Sequence, residues 1–230
     1  AVVARNTWAA MQGRKALELT WEDSPHTQYD SASYRQTLEK AARAPGKSVR
    51  NEGDVAAAWG KAKPAQRITA EYYIPTLAHA SMEPPVATAL VKDGQCEIWT
   101  SSQDPQTALN YVAKALGLPP EKVKVQCGLL GGGFGRKSKC DYVVEAALVA
   151  KAMPGTPVKL VWTREDDIQH DYYHAVAVEH LEAAIGKEGL PDSWLHRTVS
   201  PTISSLFDPS AQGESPMELM VVSFGFKYGL

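Results

Sequence analysis

The chain of 230 residues is 44% hydrophobic and 22% charged, an ordinary globular composition that fits one large domain or two small ones. Its net charge of −2 supplies no general attraction to nucleic acid or to an anionic membrane, and no apolar run approaches the ~20 residues of a membrane span. The three cysteines, Cys96, Cys127 and Cys140, form no C-x-x-C pair, which argues against zinc or iron–sulfur ligation, and their odd number argues against a disulfide framework.

Asn6 to Leu19 reads as a helix, with Trp8, Met11, Ala16 and Leu19 on about one face. Asp30-Ser31 caps a second helix that runs to about Ala44, and Asp54 caps a short third over Val55 to Trp59. Lys61 to Gln66 is a polar linker containing a proline, and the main boundary is placed there. Beyond it, strands and helices alternate. Arg67 to Ile74 is a strand. Val86 to Val91 turns at Asp93-Gly94 into Cys96 to Thr100 as a hairpin. Asp104-Pro105 opens a helix that Gly117 ends. Pro119-Pro120 forces an extended turn before a strand at Val123. Cys140 to Met153 reads as a helix and Val158 to Trp162 as a strand. Ala175 to Ile185 is a long strand, and Ser193 to Val199 pairs back onto it. The last thirty or so residues are weakly patterned and read as a segment cut before its partner, and Ala1-Val2-Val3-Ala4 reads as the inside of a domain. An excised or processed polypeptide is therefore expected.

The segment from Cys127 to Ser138, Cys-Gly-Leu-Leu-Gly-Gly-Gly-Phe-Gly-Arg-Lys-Ser, carries the chemistry. Glycines around one phenylalanine leave backbone N–H groups uncovered between a strand and a helix, a place that suits an anion. Three readings follow. Gly131 and Lys137-Ser138 sit at Walker A spacing, but Arg136 stands where the second glycine belongs. A second reading is a glycine turn that only lets a helix pack on a strand. The third is a cofactor cradle, with Arg136 and Lys137 either facing phosphates or solvated at a helix start, where positive charge is unfavourable unless an anion compensates it.

Other parts of the chain favour the cradle. The loop resembles the G-G-F-G loop of the molybdenum hydroxylases, the xanthine dehydrogenase and aldehyde oxidase family. Gln103 stands 31 residues ahead of Phe134 and follows Trp99-Thr100-Ser101-Ser102 at a strand end. His79-Ala80-Ser81-Met82-Glu83 resembles the family's H-x-x-M-E loop. The likeness is greatest to isoquinoline 1-oxidoreductase-like large subunits, and it is clear from about Ile68 to Ile185.

The resemblance implies an α+β fold, with mixed sheets and packed helices. Residues 1–66 would be the end of a preceding α/β subdomain with its linker, and residues 67–230 the first part of a molybdopterin-binding domain. It implies Gln103 and Phe134 beside the reacting centre, and Gly132, Gly133, Phe134, Gly135 and Arg136 at the cofactor, with no protein ligand to the metal. Phe134 would wall the pocket, and the Gly135 N–H would reach a metal ligand or the pterin. The cofactor would be molybdopterin with molybdenum, in its cytosine dinucleotide form, absent from this chain alone. Electrons would leave through a small iron–sulfur subunit, and the general-base glutamate would lie downstream of this chain. Xanthine-oxidising members carry a substrate-binding glutamate where this chain has Ser138, which favours a less polar heterocycle or an aldehyde. The run Arg164-Glu165-Asp166-Asp167 with His170, His174 and His180 invites a metal site but is expected to be a solvated loop. His79 and Glu83 are expected to order the loop beside the cofactor rather than to act as an acid–base pair. The alternatives are a non-catalytic scaffold of the same fold and a phosphate-binding NTPase.

Overall fold

The structure is a computed structural model that describes residues 1–208 and 210–221. It divides into two compact units, one of residues 1–24 and 78–173 and the other of residues 25–77 and 174–230. The linker at residues 61–66 falls inside the second.

The first unit is a four-stranded mixed sheet with helices. Helix α1 (Thr7–Lys15) starts where the Asn6 side chain accepts the Ala9 N–H at 2.9 Å. It stops at Ala16, short of the expected Leu19, after the basic last turn Arg14-Lys15. Strands β2 (Val86–Lys92) and β3 (Gln95–Thr100) form the hairpin, with Asp93 (φ 48°) and Gly94 (φ 70°) as its two-residue turn. Both φ values are positive, as a tight turn matching the strand twist requires. Helix α4 (Pro105–Leu116) runs from its Asp104 cap to left-handed Gly117 and leads to β4 (Val123–Cys127), which lies parallel to β3. Helix α5 (Asp141–Lys151) precedes β5 (Val158–Val161), and the sheet order is β4-β3-β2-β5.

The core lies between this sheet and the helices α4 and α5. Alternate residues of β2, Ala87 and Ala89, meet Ala146, Ala147 and Ala150 of α5, with Ile98, Val112 and Val143 filling the layer. Small side chains on both surfaces let helix and strand approach closely, so a larger residue there would overpack.

The expected solvated loop after β5 is instead helix α6 (Arg164–Gln169). Thr163 and Asp166 form a capping box, and Asp167 is buried.

The second unit holds α2 (Ser31–Ala42), α3 (Val55–Lys61) and an antiparallel sheet of β1 (Arg67–Ile74), β6 (Ala177–Ile185) and β7 (Pro191–Val199), with β6 central. Leu38 and Ala42 of α2 bury against Val178 on β6 and Val176 just before it, with Tyr34, Tyr73 and Val199 around them. On the same sheet, His180 bridges Glu71 and Glu182, each at 2.8 Å.

Candidate functional site

The glycine segment leaves β4 as a loop and does not run straight into α5. Arg136–Ser138 make a 3₁₀ turn first, and the Arg136 N–H donates to the Gly133 carbonyl at 2.9 Å. The helix N-terminus is thus displaced from the glycines, and Ser138 Oγ turns inward to the Gly135 carbonyl at 2.5 Å.

Gln103 meets this loop at the end of β3. Its amide oxygen Oε1 accepts the Gly135 N–H at 2.9 Å. A Cβ at Gly133 would lie 2.4 Å from the same oxygen, so the chain passes Gln103 at a distance only glycine permits. The Gly135 N–H therefore bonds to Gln103, not outward as expected. Among the described residues, Gln103 Nε2 and the N–H groups of Gly132, Gly133 and Phe134 make no hydrogen bond. Gly132 (φ 97°), Phe134 (φ 53°) and Gly135 (φ 103°) all sit in the left-handed region. For phenylalanine that is a strained backbone, costing about 1–3 kcal/mol. Phe134 is 71% exposed. Gln103 thus contacts the residues on either side of Phe134; Gln103, Phe134 and Gly135 are exposed, whereas Gly133 is buried.

Beneath the loop the charges are buried. Arg136 is 1% exposed. Its Nη1 and Nη2 donate to the two oxygens of Asp141 at 2.9 and 3.0 Å. Its Nε lies 3.0 Å from Asp171 Oδ1 as an ion pair outside hydrogen-bond geometry. Trp162 and Tyr172 lie against the guanidinium, with ring centres 5.2 Å away. Burial alone would depress the Arg136 pKa, but Asp141, Asp171 and Asp167 outweigh it and hold the guanidinium charged. Lys137 is 0% exposed and its Nζ donates to Glu83 Oε2 at 2.5 Å. Both side chains point inward, so neither the phosphate-facing nor the solvated reading describes them. The Walker reading falls with Lys137, whose ammonium is committed to Glu83.

His79 and Glu83, the two ends of the 79–83 segment, have separate partners. The His79 N–H donates to Asp171 Oδ2 at 2.5 Å, and its ring Nδ1 lies 2.9 Å from the same oxygen. Arg164 reaches the carbonyls of Ser81 and Met82 and pairs with Asp167. Glu83 accepts from Ser101 Oγ at 2.6 Å and from the Gly131 N–H at 3.2 Å. Burial raises the Glu83 pKa, but Lys137, Ser101 and Gly131 reverse the effect and leave it low. His79 and Glu83 are not paired; each ties down the loop, as expected.

Asp141, Asp171 and Ser101 escaped the sequence reading. One signal was present: two cations at the start of a helical segment demand anions. Those anions come from the protein. His170 ends α6 with its ring edge-on to Trp162, centres 6.3 Å apart, while His174 and His180 belong to the second unit. Among the described residues, no three His, Cys, Asp or Glu side chains are grouped to hold a metal ion.

Residues 40–198 match the molybdopterin cofactor-binding domain family. The chain belongs to that molybdenum hydroxylase family. It is 30% identical over 220 residues to the isoquinoline 1-oxidoreductase subunit beta of Brevundimonas diminuta, covering 86% of this chain and 27% of that protein. It is 35% identical over 185 residues to a Gluconacetobacter polyoxogenes protein named membrane-bound aldehyde dehydrogenase [pyrroloquinoline-quinone], covering 80% of this chain and 24% of that protein. The chain thus spans about a quarter of the length of these relatives. Among solved structures, the aldehyde oxidoreductase from Desulfovibrio gigas superposes with a TM-score of 0.56 at 23% identity, over 67% of this chain and 17% of that one, a likeness of fold. The family inferred from the loop motifs is the family found, and the α+β fold of mixed sheets and helices agrees with it.

Proposed function

We propose that this chain supplies the glycine-loop side of a molybdopterin site in the molybdenum-binding subunit of an oxidoreductase. The reaction proposed is hydroxylation of an N-heterocycle or an aldehyde with oxygen from water. Family membership supports the cofactor, and the names of the relatives support the two substrate classes. The carrying observation is Gln103: its oxygen is held by the Gly135 N–H, which leaves Nε2 as an oriented, uncharged donor beside three unengaged backbone N–H groups.

These residues fit a large, oxygen-rich group that needs donors and close backbone approach. Bound here, the cofactor would supply the metal centre and the two-electron chemistry. The chain would do the rest of the work on this side. Gln103 Nε2 would orient the reacting end without adding charge. The N–H groups of Gly132, Gly133 and Phe134 would hold the pterin, and the Phe134 ring would wall the substrate side. Arg136 would contribute from beneath, by fixing the loop through Asp141 and Asp171. Ser138 puts no carboxylate at the substrate, in keeping with a less polar substrate than a purine. The finer parts of the proposal are the cytosine dinucleotide form, a separate iron–sulfur subunit as electron acceptor, a general-base glutamate outside this chain, and a domain division near residue 66.

Expression of the whole parent protein with its partner subunit tests this. About one molybdenum and one pterin per chain, with oxygen from labelled water entering an aldehyde or N-heterocycle, is expected; bound quinone without molybdenum, or a metal-free folded protein, would overturn it. The 230-residue chain by itself should carry no stoichiometric molybdenum. In the parent, Gln103→Ala should lower turnover about ten- to hundredfold at equal pterin content, the effect of one hydrogen bond of about 1–3 kcal/mol acting in the transition state. Unchanged turnover would return Gln103 to a merely structural role.

A further inference from the structure

We propose that Glu83 is the positioning residue of the glycine loop: a single carboxylate fixes both ends of the loop, and through them the direction in which Gln103 presents its amide. The proposal rests on the cofactor reading only for what that amide is presented to.

The connections converge on one oxygen. Glu83 Oε2 takes the Lys137 ammonium at 2.5 Å, the Ser101 hydroxyl at 2.6 Å and the Gly131 N–H at 3.2 Å. The Glu83 N–H in turn donates to the Gly131 carbonyl at 3.0 Å. Gly131 opens the loop and Lys137 follows its last glycine, so the loop is closed onto Glu83 like a clasp. Contact is tight at the first end, where a Cβ at Gly131 would lie 2.5 Å from Glu83 Cβ. At the other end, the Lys137 carbonyl accepts the Gln103 N–H at 3.0 Å and Ser102 Oγ at 3.1 Å. The backbone of Gln103 is thus set by Lys137 and its side chain by Gly135, two points of the loop that Glu83 holds. Glu83 itself stands on fixed ground, because Arg164 grips the Ser81 and Met82 carbonyls and Asp171 grips His79.

Charge and geometry can be separated, because the two partners differ in exposure. The Lys137 side chain is buried, whereas the Glu83 carboxylate is about a third exposed, at 34%. Glu83→Gln strands a buried ammonium; Lys137→Met leaves a carboxylate that still reaches water. In the double variant Glu83→Gln/Lys137→Met no buried charge is stranded, and the new amide oxygen can still accept from Gly131 and Ser101. Glu83→Ala/Lys137→Met also strands no charge but removes that acceptor.

Amide exchange and NMR spectra of the 230-residue chain provide the test. In Glu83→Gln, the Gly135 N–H should exchange about tenfold faster, the loss of roughly one hydrogen bond's stabilisation, with exchange in β6 unchanged. Glu83→Gln/Lys137→Met should bring it part of the way back, because the Gly131 end is held while the Lys137 end stays open, and Glu83→Ala/Lys137→Met should not. Equal Gly135 exchange in the two double variants would show that only charge compensation matters and would overturn the proposal. Acid titration of the unmodified chain asks the same question without a substitution. The charged groups about Glu83 are Lys137, which faces it, and Arg164, on the carbonyls of its own loop. The Gly131 and Gly135 amides and the Gln103 side-chain amide should shift together at one midpoint below the usual glutamate range. Separate midpoints would overturn it. None of these readouts needs bound cofactor, so they can fail while metal and pterin analysis succeeds, and the reverse.

Discussion

The first unit keeps its most buried charges under a loop, and the second keeps its ion pairs with Glu71 on the face of a sheet. Arg136, Lys137, Asp167 and Asp171 of the first unit have almost no exposed side-chain surface. In the second, the Arg43 guanidinium that pairs with Glu71 at 2.5 Å is more than half exposed, while His180 between its two glutamates is sequestered. The apolar cores differ in the same direction: the first runs through all four strands and both long helices, while the second rests on Leu38, Ala42, Val176 and Val178. A large core tolerates the cost of buried ions, and buried ions hold geometry because leaving any one unpaired is expensive. The first unit can therefore carry a strained, exposed loop. Among its described residues the second has no such loop to support.

The sharpest way to break this contrast is Arg136→Ala. It leaves Asp171 buried with only His79 as a partner and should destabilise the first unit by about 3–5 kcal/mol, measured by denaturant unfolding. Removing the exposed Arg43 instead should cost far less, because its ion pair with Glu71 is screened by water. Equal losses would mean that burial of the charges is irrelevant. Leu38→Ala removes the largest aliphatic residue of the small core and should cost about 2–5 kcal/mol, with amide exchange rising in α2 and β6 while α5 stays protected. A rise shared by α5 would show that the two cores are not separate.

At local scale, Asp104→Ala should cost about 1 kcal/mol, the worth of one N-cap, and should speed exchange in the first turn of α4. This cap was legible in advance, as were Gly117 and the Asp93-Gly94 turn, because each is fixed by neighbours in sequence. Helix α6 was equally local and was overlooked: Thr163 and Asp166 stand at capping-box spacing, but the acidic run drew the eye to solvation. The glycine loop and Gln103 were legible through their spacing. What lay beneath them was not, because whether Arg136 faces a phosphate or Asp171 depends on which distant carboxylate the fold brings near, and periodicity carries no trace of that. Phe134 was read as a wall of a pocket through the resemblance of its loop; its positive φ is a property of the folded loop alone.

The smallest effect concerns pH in the second unit. Glu71 is drawn down to about 2, first by Arg43 and then by His180. A carboxylate with a lowered folded pKa contributes stability above its unfolded value, near 4.5, and loses it as pH falls toward 2. His180 is shifted the other way: Glu182 raises it, burial opposes, and Glu71 adds to the rise. Its contribution is complete below the unfolded value of 6.5 and disappears as pH climbs through the raised folded value. The two trends give this unit its greatest stability between about 4.5 and 6.5. His180→Gln should flatten the alkaline side of that profile. The acid side should persist, since Arg43 still holds Glu71. In the first unit, the pairs made by Arg136 and Lys137 should contribute no matching alkaline decline over the same range. Exchange rates for β6 and α5 amides, followed from pH 4 to 8 with the intrinsic pH dependence removed, compare the two directly. An alkaline loss of β6 protection that survives in His180→Gln would assign the decline to some other group on the sheet.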